Sequence, residues 1–284
     1  MKIRSHFNRK VALVTGGASG IGKALVKELA NLGTIVVATD IQLDGLTDSI
    51  GAIGQNSEKI HARHLDVSDP QAFKETVDSV VSDFGQIDFL FNNAGIALAG
   101  ELRDLSVDDF KKVIDVNLNG VIYGSLFAYK QMTKQGFGHI INMSSVEGLV
   151  PFPTTSPYVA SKFAVLGFSQ SMWIEGSDLG VNVSVVCPGL VRTPIFETSK
   201  LLNMNRNVWM ESATGGWSRF SHSPDECARK ILIGVARRQK LILMSPLTHI
   251  ASILMRVSPS LTMELLRRRF ARWRNIARRK DEGD

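Results

Sequence analysis

Cysteine is scarce in this chain: Cys187 and Cys227 are the only two among 284 residues. A disulfide framework or a cysteine-based metal cluster needs more thiols, so neither is expected, and the scarcity fits a reducing compartment. Long apolar runs are also missing, and without about 18 continuous apolar residues no membrane-spanning helix is expected. The first apolar run, which begins at Val11, breaks into glycines too early for a signal-peptide core. We therefore expect a cytoplasmic protein that holds no metal.

Most of the chain also lacks an excess of either charge. The net charge is +6, but nine Lys or Arg and four Asp or Glu follow Lys240, so the tail alone carries +5. A nucleic-acid-binding protein shows basic residues across its working surface. Because the first 240 residues are nearly neutral, no nucleic-acid partner is expected.

What the chain does contain is an alternation of short apolar segments with segments of helical periodicity. The apolar segments are VALVT, TIVVATD, HARHLDV, IDFLFNN, GHIINMSS, VNVSVVC and KLILM. Strands that alternate with helices are joined by parallel crossovers. The pattern predicts an α/β fold with a doubly wound parallel sheet in one domain, residues 1–245. A basic amphipathic helical extension is predicted over residues 246–284.

A glycine-rich turn, TGGASGIG, separates the first strand from the first helix. Gly16, Gly20 and Gly22 would permit a tight turn, close approach of the backbone to a pyrophosphate, and packing of the helix on the sheet. The free amides at the helix N-terminus would then face the phosphates. A plain tight turn is the alternative, but the strand–turn–helix setting favours a dinucleotide site.

Asp40 ends the second strand, 18 residues beyond Gly22. A carboxylate there can accept hydrogen bonds from a ribose 2′-hydroxyl, and it repels a 2′-phosphate. No Lys or Arg stands in the glycine turn or directly after Asp40 to bind such a phosphate. NAD is therefore expected in preference to NADP, the alternative being an Asp that only caps a turn.

Seven motifs, in order and spacing, make residues 8–245 similar to the short-chain dehydrogenase/reductase family. They are the glycine turn, DV at 66–67, NNAG at 92–95, VNLNG around Asn117, SS at 144–145, Tyr158-x-x-x-Lys162, and CPGLVRT at 187–193. The resemblance implies a Rossmann-type fold and hydride transfer between a nicotinamide dinucleotide and a carbinol carbon. It also implies a homodimer or homotetramer joined through helices at about 103–135 and 157–176.

The resemblance implies a role for each matching position. Tyr158 would exchange a proton with the substrate oxygen, and Lys162 would hold the nicotinamide ribose and lower the pKa of Tyr158. Ser145, rather than Ser144, would polarise the substrate oxygen, and Asn117 would hold a water in a proton relay. The residues implied for the cofactor are Gly16, Ser19, Gly20, Ile21, Gly22, Asp40, Asp66, Val67, Asn92, Asn93, Ala94, Gly95, Tyr158, Lys162, Pro188, Gly189, Val191 and Thr193.

Physical chemistry agrees with the pairing of Tyr158 and Lys162. Residues four apart share a helical face, and an ammonium beside a phenol stabilises the phenolate. A phenol with its ordinary pKa of about 10 is a poor base at neutral pH. An exposed Tyr with a solvated Lys is the alternative for this pair alone, and the other motifs argue against it.

Apolar residues near the motifs predict a pocket for a lipophilic substrate. Residues 194–220 stand where the family places its mobile substrate lid. The candidate substrate contacts are Ser145, Leu149, Phe152, Tyr158, Phe196 and Trp209. Such walls predict a bulky alcohol or ketone, such as a steroid, retinoid or fatty alcohol, whereas ordinary core or dimer packing is the alternative.

The tail combines an apolar stripe with many arginines. Met263, Leu266, Phe270, Trp273 and Ala277 recur at helical spacing and share one face. A basic helix of this kind can lie on an anionic membrane, so peripheral membrane contact through residues 262–280 is expected. A helix packed over the active site or a partner subunit, and a solvated charged face, are the alternatives.

Three other functions compete with that of an alcohol dehydrogenase or ketoreductase. A dehydrogenase fold can serve as a catalytically silent dinucleotide-binding regulator or scaffold, but Asn117, Ser145, Tyr158 and Lys162 are all present. A reductase of small polar carbonyls would use the same residues with a different pocket. A membrane- or RNA-binding module built on the tail would leave the dehydrogenase motifs unexplained.

Overall fold

A computed structural model describes residues 3–54, 56–206, 209 and 221–281 of the chain. For Phe196, Leu247, Trp273 and residues 275–281, the description extends to the backbone alone. The predicted lid therefore lies partly outside the described residues, because 207–208 and 210–220 do.

Seven parallel strands form the central sheet, in the order β3-β2-β1-β4-β6-β7-β9. Their bounds are β1 Val11–Thr15, β2 Ile35–Asp40, β3 Ile60–His64, β4 Phe89–Asn92, β6 Gly138–Met143, β7 Val181–Cys187 and β9 Leu241–Leu243. Chain order reverses between β1 and β4, and ligands of open α/β sheets bind outside such a reversal. The predicted doubly wound parallel sheet is confirmed, and each predicted strand is present.

Helices cover the sheet on both faces. Their bounds are α1 Ile3–Phe7, α2 Gly20–Asn31, α3 Leu43–Gly51, α4 Pro70–Phe84, α5 Val107–Ile114, α6 Gly120–Gln135, α7 Ser156–Gly176, α8 Ile195–Thr198, α9 Pro224–Ala236, α10 Pro246–Val257 and α11 Pro259–Asp281. None of the helices in the described part of the chain has both the length and the apolar character needed to cross a bilayer.

Successive residues of β1 belong to two different apolar cores. Ala12 and Val14 pack with residues of α2 and α9. Val11 and Leu13 pack with residues of α4, α6 and α7 on the opposite face. This alternation follows from the two-residue period of a strand. Because both faces are buried, β1 is continuously apolar, and its carboxyl end is held rigidly where the glycine turn begins.

The long helical segment predicted after residue 106 is interrupted once. The hydroxyl of Ser106 accepts a hydrogen bond from the Asp109 amide, a cap that starts α5. A π-helical turn, Asp115–Asn119, then separates α5 from α6. Turns of this type often mark functional sites, and Asn117 lies at the centre of this one.

Two local features were not predicted from the sequence. Helix α3 follows Asp40 directly, and a two-stranded parallel ladder joins β5, Leu98–Ala99, to β8, Lys200–Leu201. The ladder is too short to give a periodic pattern, whereas Leu43, Leu46 and Ile50 of α3 recur at helical spacing and could have predicted that helix. The predicted helical tail is two helices, because Pro259 cannot continue the hydrogen-bonding of α10.

Candidate active site

A cavity of about 2190 Å³ opens at the carboxyl ends of the central strands. Its lining combines the glycine turn, the ends of β2, β4, β6 and β7, and the start of α7 with parts of α10 and α11. Because these segments are distant in sequence, only the parallel sheet brings the motifs together. One continuous space therefore has room for a dinucleotide and a substrate.

The glycine turn has a shape that residues with a side chain would disturb. Gly16 has φ of +67°, and a Cβ there would stand 2.8 Å from the Ala94 Cα. A Cβ on Gly22 would overlap the Gly16 carbonyl oxygen. Gly22 does not line the cavity, so it acts by letting α2 approach the turn, whereas Gly16 and Gly20 border the open space. This cradle fits the pyrophosphate of a dinucleotide.

Asp40 lines the same cavity and also stabilises the turn. One carboxylate oxygen accepts from the Ala18 amide at 3.0 Å, and the other accepts from the Gln42 amide at 3.0 Å. Each oxygen retains further acceptor capacity. The capping role and a contact with a ribose hydroxyl are therefore compatible in this geometry.

Most of the other predicted cofactor residues border the cavity. They are Ser19, Gly20, Ile21, Asp66, Val67, Asn93, Ala94, Gly95, Pro188, Gly189, Val191 and Thr193. Asn92 does not, and its expected place beside the cofactor needs correction. Its side-chain amide donates to Asn142 Oδ1 at 2.8 Å and to Ser125 Oγ at 3.1 Å. Asn92 is buried between β4, β6 and α6 because its side chain points inward, and it supports the sheet end.

Ser145 and Tyr158 both line the cavity, and the Ser145 hydroxyl is a neighbour that acts to lower the pKa of Tyr158. The Ser145 hydroxyl also accepts from the Glu147 amide at 3.1 Å, which leaves its own proton available for donation. Ser144 is engaged elsewhere, since its hydroxyl donates to the Lys162 carbonyl at 2.8 Å. Both serines line the cavity, and the role of Ser145 in binding the substrate oxygen stays a prediction.

Lys162 is buried, and its ammonium donates to the Met143 carbonyl oxygen at 2.9 Å. Burial lowers the pKa of Lys162 to about 8, opposed by the nearby Cys187 and Glu147. At neutral pH Lys162 is therefore mostly cationic. Its Nζ lies 5.3 Å from the centre of the Tyr158 ring.

With only the protein's own groups present, the pKa of Tyr158 is raised, contrary to the expectation that Lys162 lowers it. Burial raises the pKa of Tyr158, the negative charge of Glu147 raises it further, and the Ser145 hydrogen bond acts in the opposite direction. The ammonium of Lys162 is directed at the end of β6 by its bond to Met143. The protein alone therefore keeps Tyr158 a neutral phenol at physiological pH.

Asn117 lies behind the cavity wall and does not line it. Its side-chain oxygen accepts from the Ile96 amide at 2.8 Å, and its amide group donates to the Ile96 carbonyl at 2.9 Å. A Cβ on Gly95 would stand 3.2 Å from Asn117 Oδ1 and 3.7 Å from Lys162 Nζ. Asn117 thus fixes the segment after Gly95 against Lys162.

The predicted substrate contacts separate into three groups. Phe152 and Trp209 line the cavity, and the Trp209 indole donates to Thr154 Oγ1 at 3.3 Å. Leu149 does not line it, because it is buried in a cluster with Val150 and Cys187. The Phe196 side chain lies outside the described part of the chain.

The tail helix α11 forms part of the cavity wall. Leu265, Leu266 and Phe270 line the cavity, and Leu266 also packs against the cluster of Leu149, Val150 and Cys187. The apolar stripe of the tail could meet a membrane, pack over the active site or a partner subunit, or be solvated. For Leu266 and Phe270, the structure favours packing over the active site. Met263 is exposed, and membrane contact through residues 262–280 stays a prediction.

Comparison with known proteins places these residues in a family context. A family model described as short chain dehydrogenase matches residues 10–201. Cyclohexanol dehydrogenase of Acinetobacter sp. (strain SE19) is 36% identical over 211 residues, 72% of this chain and 83% of that protein. A 3-alpha-(or 20-beta)-hydroxysteroid dehydrogenase of Mycobacterium bovis is 39% identical over 188 residues, 66% of this chain and 71% of that protein.

A solved structure shares the architecture over nearly the whole chain. It is a short chain dehydrogenase/reductase from Burkholderia phymatum in complex with NAD, with a TM-score of 0.82 and 26% identity. The match covers 90% of this chain and 95% of that one. The two chains therefore share the same fold.

Proposed function

This chain belongs to the short-chain dehydrogenase family, and on that premise we propose that it interconverts a secondary alcohol and a ketone, or an alcohol and an aldehyde, with NAD. The observation that carries the proposal is the placement of Ser145, Tyr158 and Lys162 on the wall of one cavity with the glycine turn. A nicotinamide dinucleotide, when bound, supplies or accepts the hydride. The protein's own task is to orient the two reactants and to manage one proton.

Tyr158 is the proposed general acid/base. As a neutral phenol on the wall of the cavity, it can donate its proton to a carbonyl oxygen as that oxygen gains negative charge. In the opposite direction it must accept the hydroxyl proton as phenolate. Because its pKa is raised by burial, this direction needs added positive charge or a higher pH.

Ser145 and Lys162 support this proton transfer in different ways. The Ser145 hydroxyl, held by the Glu147 amide, can donate to the same substrate oxygen. The Lys162 ammonium, fixed on Met143 near Gly95, can donate to a ribose hydroxyl placed between the glycine turn and Tyr158. Asn117 positions this arrangement through Ile96, and any water relay would start beside it.

NAD is proposed over NADP because Asp40 lines the cavity at the end of β2. Its carboxylate would accept from a ribose 2′-hydroxyl and repel a phosphate at the same place. Asp66 and Val67, which follow β3, border the cavity farther along and suit the adenine. The NAD named with the Burkholderia phymatum structure supports the same choice.

A lipophilic substrate is proposed from the walls around Tyr158. Val150, Phe152, Trp209, Leu266 and Phe270 surround the space beyond the catalytic residues. Apolar walls with few polar anchors suit steroids, cyclic alcohols and similar molecules. The relatives named for cyclohexanol and hydroxysteroids support this class.

A homodimer or homotetramer is proposed through α5, α6 and α7. Leu126, Phe163 and Ile174 are large apolar side chains that are exposed on α6 and α7. Burying them against a second copy would remove apolar surface from water. Sedimentation of the purified chain would test this proposal.

The function is tested by following NADH or NADPH formation with a panel of alcohols. Steroids, retinol, long-chain alcohols and cyclohexanol are compared with small polar alcohols. Turnover of a lipophilic alcohol with NAD is expected, with at least about tenfold lower kcat/KM for NADP because of the charge of Asp40. Asp40→Asn, which removes the charge and keeps an acceptor, should narrow that difference. Turnover of polar alcohols alone would contradict the lipophilic class, and NADP preference would contradict the role of Asp40.

A further inference from the structure

Glu147 is a carboxyl group in the catalytic cavity that the proposed hydride chemistry does not use. It lies in a single 3-10 turn, Val146–Gly148, directly after Ser145. Its side chain lines the cavity with Tyr158 and Lys162, and no motif in the sequence predicted it. Glu147 is partly exposed, and it lines the cavity.

The position of the carboxyl group is fixed on both sides. The Thr155 hydroxyl donates to Glu147 Oε2 at 2.6 Å. The Glu147 amide donates to Ser145 Oγ, so the backbone at Glu147 is tied to the catalytic serine. The side chain is therefore held in one orientation, as a binding group for a ligand would be.

Enclosing a carboxylate in an apolar cavity costs free energy unless partners compensate. Within the described part of the chain, Thr155 gives Glu147 a side-chain hydrogen bond and no Lys or Arg forms an ion pair with it. Burial raises the pKa of Glu147 to about 7, and the Thr155 bond and the charge of Lys162 oppose the rise. A carboxylate can accept about four hydrogen bonds, and the Thr155 hydroxyl fills one of these positions.

We propose that Glu147 forms a subsite for a second hydrogen-bond donor on the substrate, a hydroxyl or an amine, so that diols or amino alcohols are preferred over simple alcohols. This inference rests on the proposed function and names its substrate class more closely. The apolar wall binds the carbon skeleton, Tyr158 and Ser145 bind the reacting oxygen, and Glu147 accepts from the second polar group. Anionic substrates are disfavoured by the same charge.

A purely structural role for Glu147 is the competing explanation. Thr155 immediately precedes α7, which carries Tyr158, so the bond from Thr155 to Glu147 could serve only to place that helix. Thr155→Val removes this bond and retains the carboxyl group of Glu147. It is therefore the matched control for substitutions of Glu147.

The test compares cyclohexanol with the cyclohexanediols and aminocyclohexanols, using NAD and the full-length enzyme. We expect kcat/KM for at least one diol or amino alcohol to exceed that for cyclohexanol by about tenfold, the usual value of one buried hydrogen bond. Glu147→Leu should abolish this preference, measured as the ratio of the two kcat/KM values at the same pH. Thr155→Val should retain the preference.

Three results would overturn the subsite. They are equal activity of the wild type on simple and donor-bearing alcohols, a preference that survives in Glu147→Leu, and parallel loss of both substrates in Glu147→Leu and Thr155→Val. Calorimetry can measure the binding of the same alcohols to the protein with NADH. It therefore distinguishes failure of the Glu147 subsite from failure of the proposed reaction. Tighter binding of a diol to the wild type than to Glu147→Leu would support the subsite even without turnover, and equal or absent binding would refute it.

Discussion

The Arg274 guanidinium forms two parallel hydrogen bonds with the Glu101 carboxylate, from Nε to Oε1 at 3.0 Å and from Nη2 to Oε2 at 3.1 Å. Arg274 also lies over the Phe270 ring, with its Cζ 4.5 Å from the ring centre. Glu101 follows the short strand β5, whereas Arg274 is near the end of the chain. The pair therefore ties α11 across the cavity to the part of the fold that also holds β8.

Breaking this pair should loosen α11. Glu101 is 16% exposed and Arg274 is 40% exposed, so the pair is partly screened and contributes about 1 kcal/mol. Glu101→Gln is expected to raise the undocked population of α11 about fivefold, seen as faster hydrogen exchange over residues 259–272. High salt should act in the same direction in the wild type.

A matched control for this substitution lies in the same helix. Arg267 pairs with Glu264 three residues earlier, so this ion pair lies wholly within α11. Arg267→Gln should leave exchange in α11 nearly unchanged. If Glu101→Gln and Arg267→Gln behave alike, the pair does not hold the helix.

Replacing Tyr158 by Phe should abolish turnover, by at least about 100-fold in kcat, because the proton donor and acceptor is lost. The ring keeps its place in α7, so NADH binding, followed by the nucleotide's fluorescence, should stay near the wild-type value. Near-normal turnover in Tyr158→Phe would refute the proposed acid/base role.

Glu147→Gln should shift the pH dependence of alcohol oxidation toward acid. The negative charge of Glu147 raises the pKa of both Tyr158 and Lys162, so removing it lowers both. Because oxidation needs the phenolate, its rate should rise at a lower pH than in the wild type. Rate–pH profiles with cyclohexanol measure this, and Thr155→Val is the control that keeps the carboxyl group. An unchanged profile would show that Glu147 does not act on Tyr158.

Folding stability should fall in mild acid because of His139 in β6. Burial lowers the pKa of His139 from 6.5 to about 3, and its Nε2 lies 2.8 Å from Ser184 Oγ. In mild acid the unfolded chain therefore binds a proton at His139 that the folded chain does not bind. The stability present above pH 6.5 is lost as the pH falls toward 3. This group alone predicts a loss of about 2 kcal/mol between pH 6.5 and about 5.

Denaturant unfolding at several pH values measures this loss. His6 lies beside the same core, and its pKa is also lowered, mainly by burial. His6 therefore adds to the loss of stability in acid. Replacing the exposed His249 of α10 by Asn is the control and should leave the slope unchanged. A free energy of unfolding that is constant from neutral pH to about pH 5 would contradict the buried neutral state of His139.

The sequence indicated the strands along the chain, the glycine turn and the pairing of Tyr158 with Lys162, whereas the role of Ser145 was implied by the family resemblance. These depend on local chemistry: apolar segments of strand length, a backbone that only glycine can follow at Gly16, and residues of one helix at a spacing of four. Such information is contained within a few neighbouring residues, so it can be read without the fold.

The tertiary structure decided which side chains reach the cavity. It turned Asn92 into the sheet, directed Lys162 at Met143, and brought Glu147 and Phe270 to the cavity that Tyr158 lines. Each outcome depends on packing between segments far apart in sequence, where side-chain direction follows from the neighbours that fill the surrounding space. Periodicity placed Leu266 and Phe270 on one face of a helix, but only the fold showed that this face lines the active-site cavity.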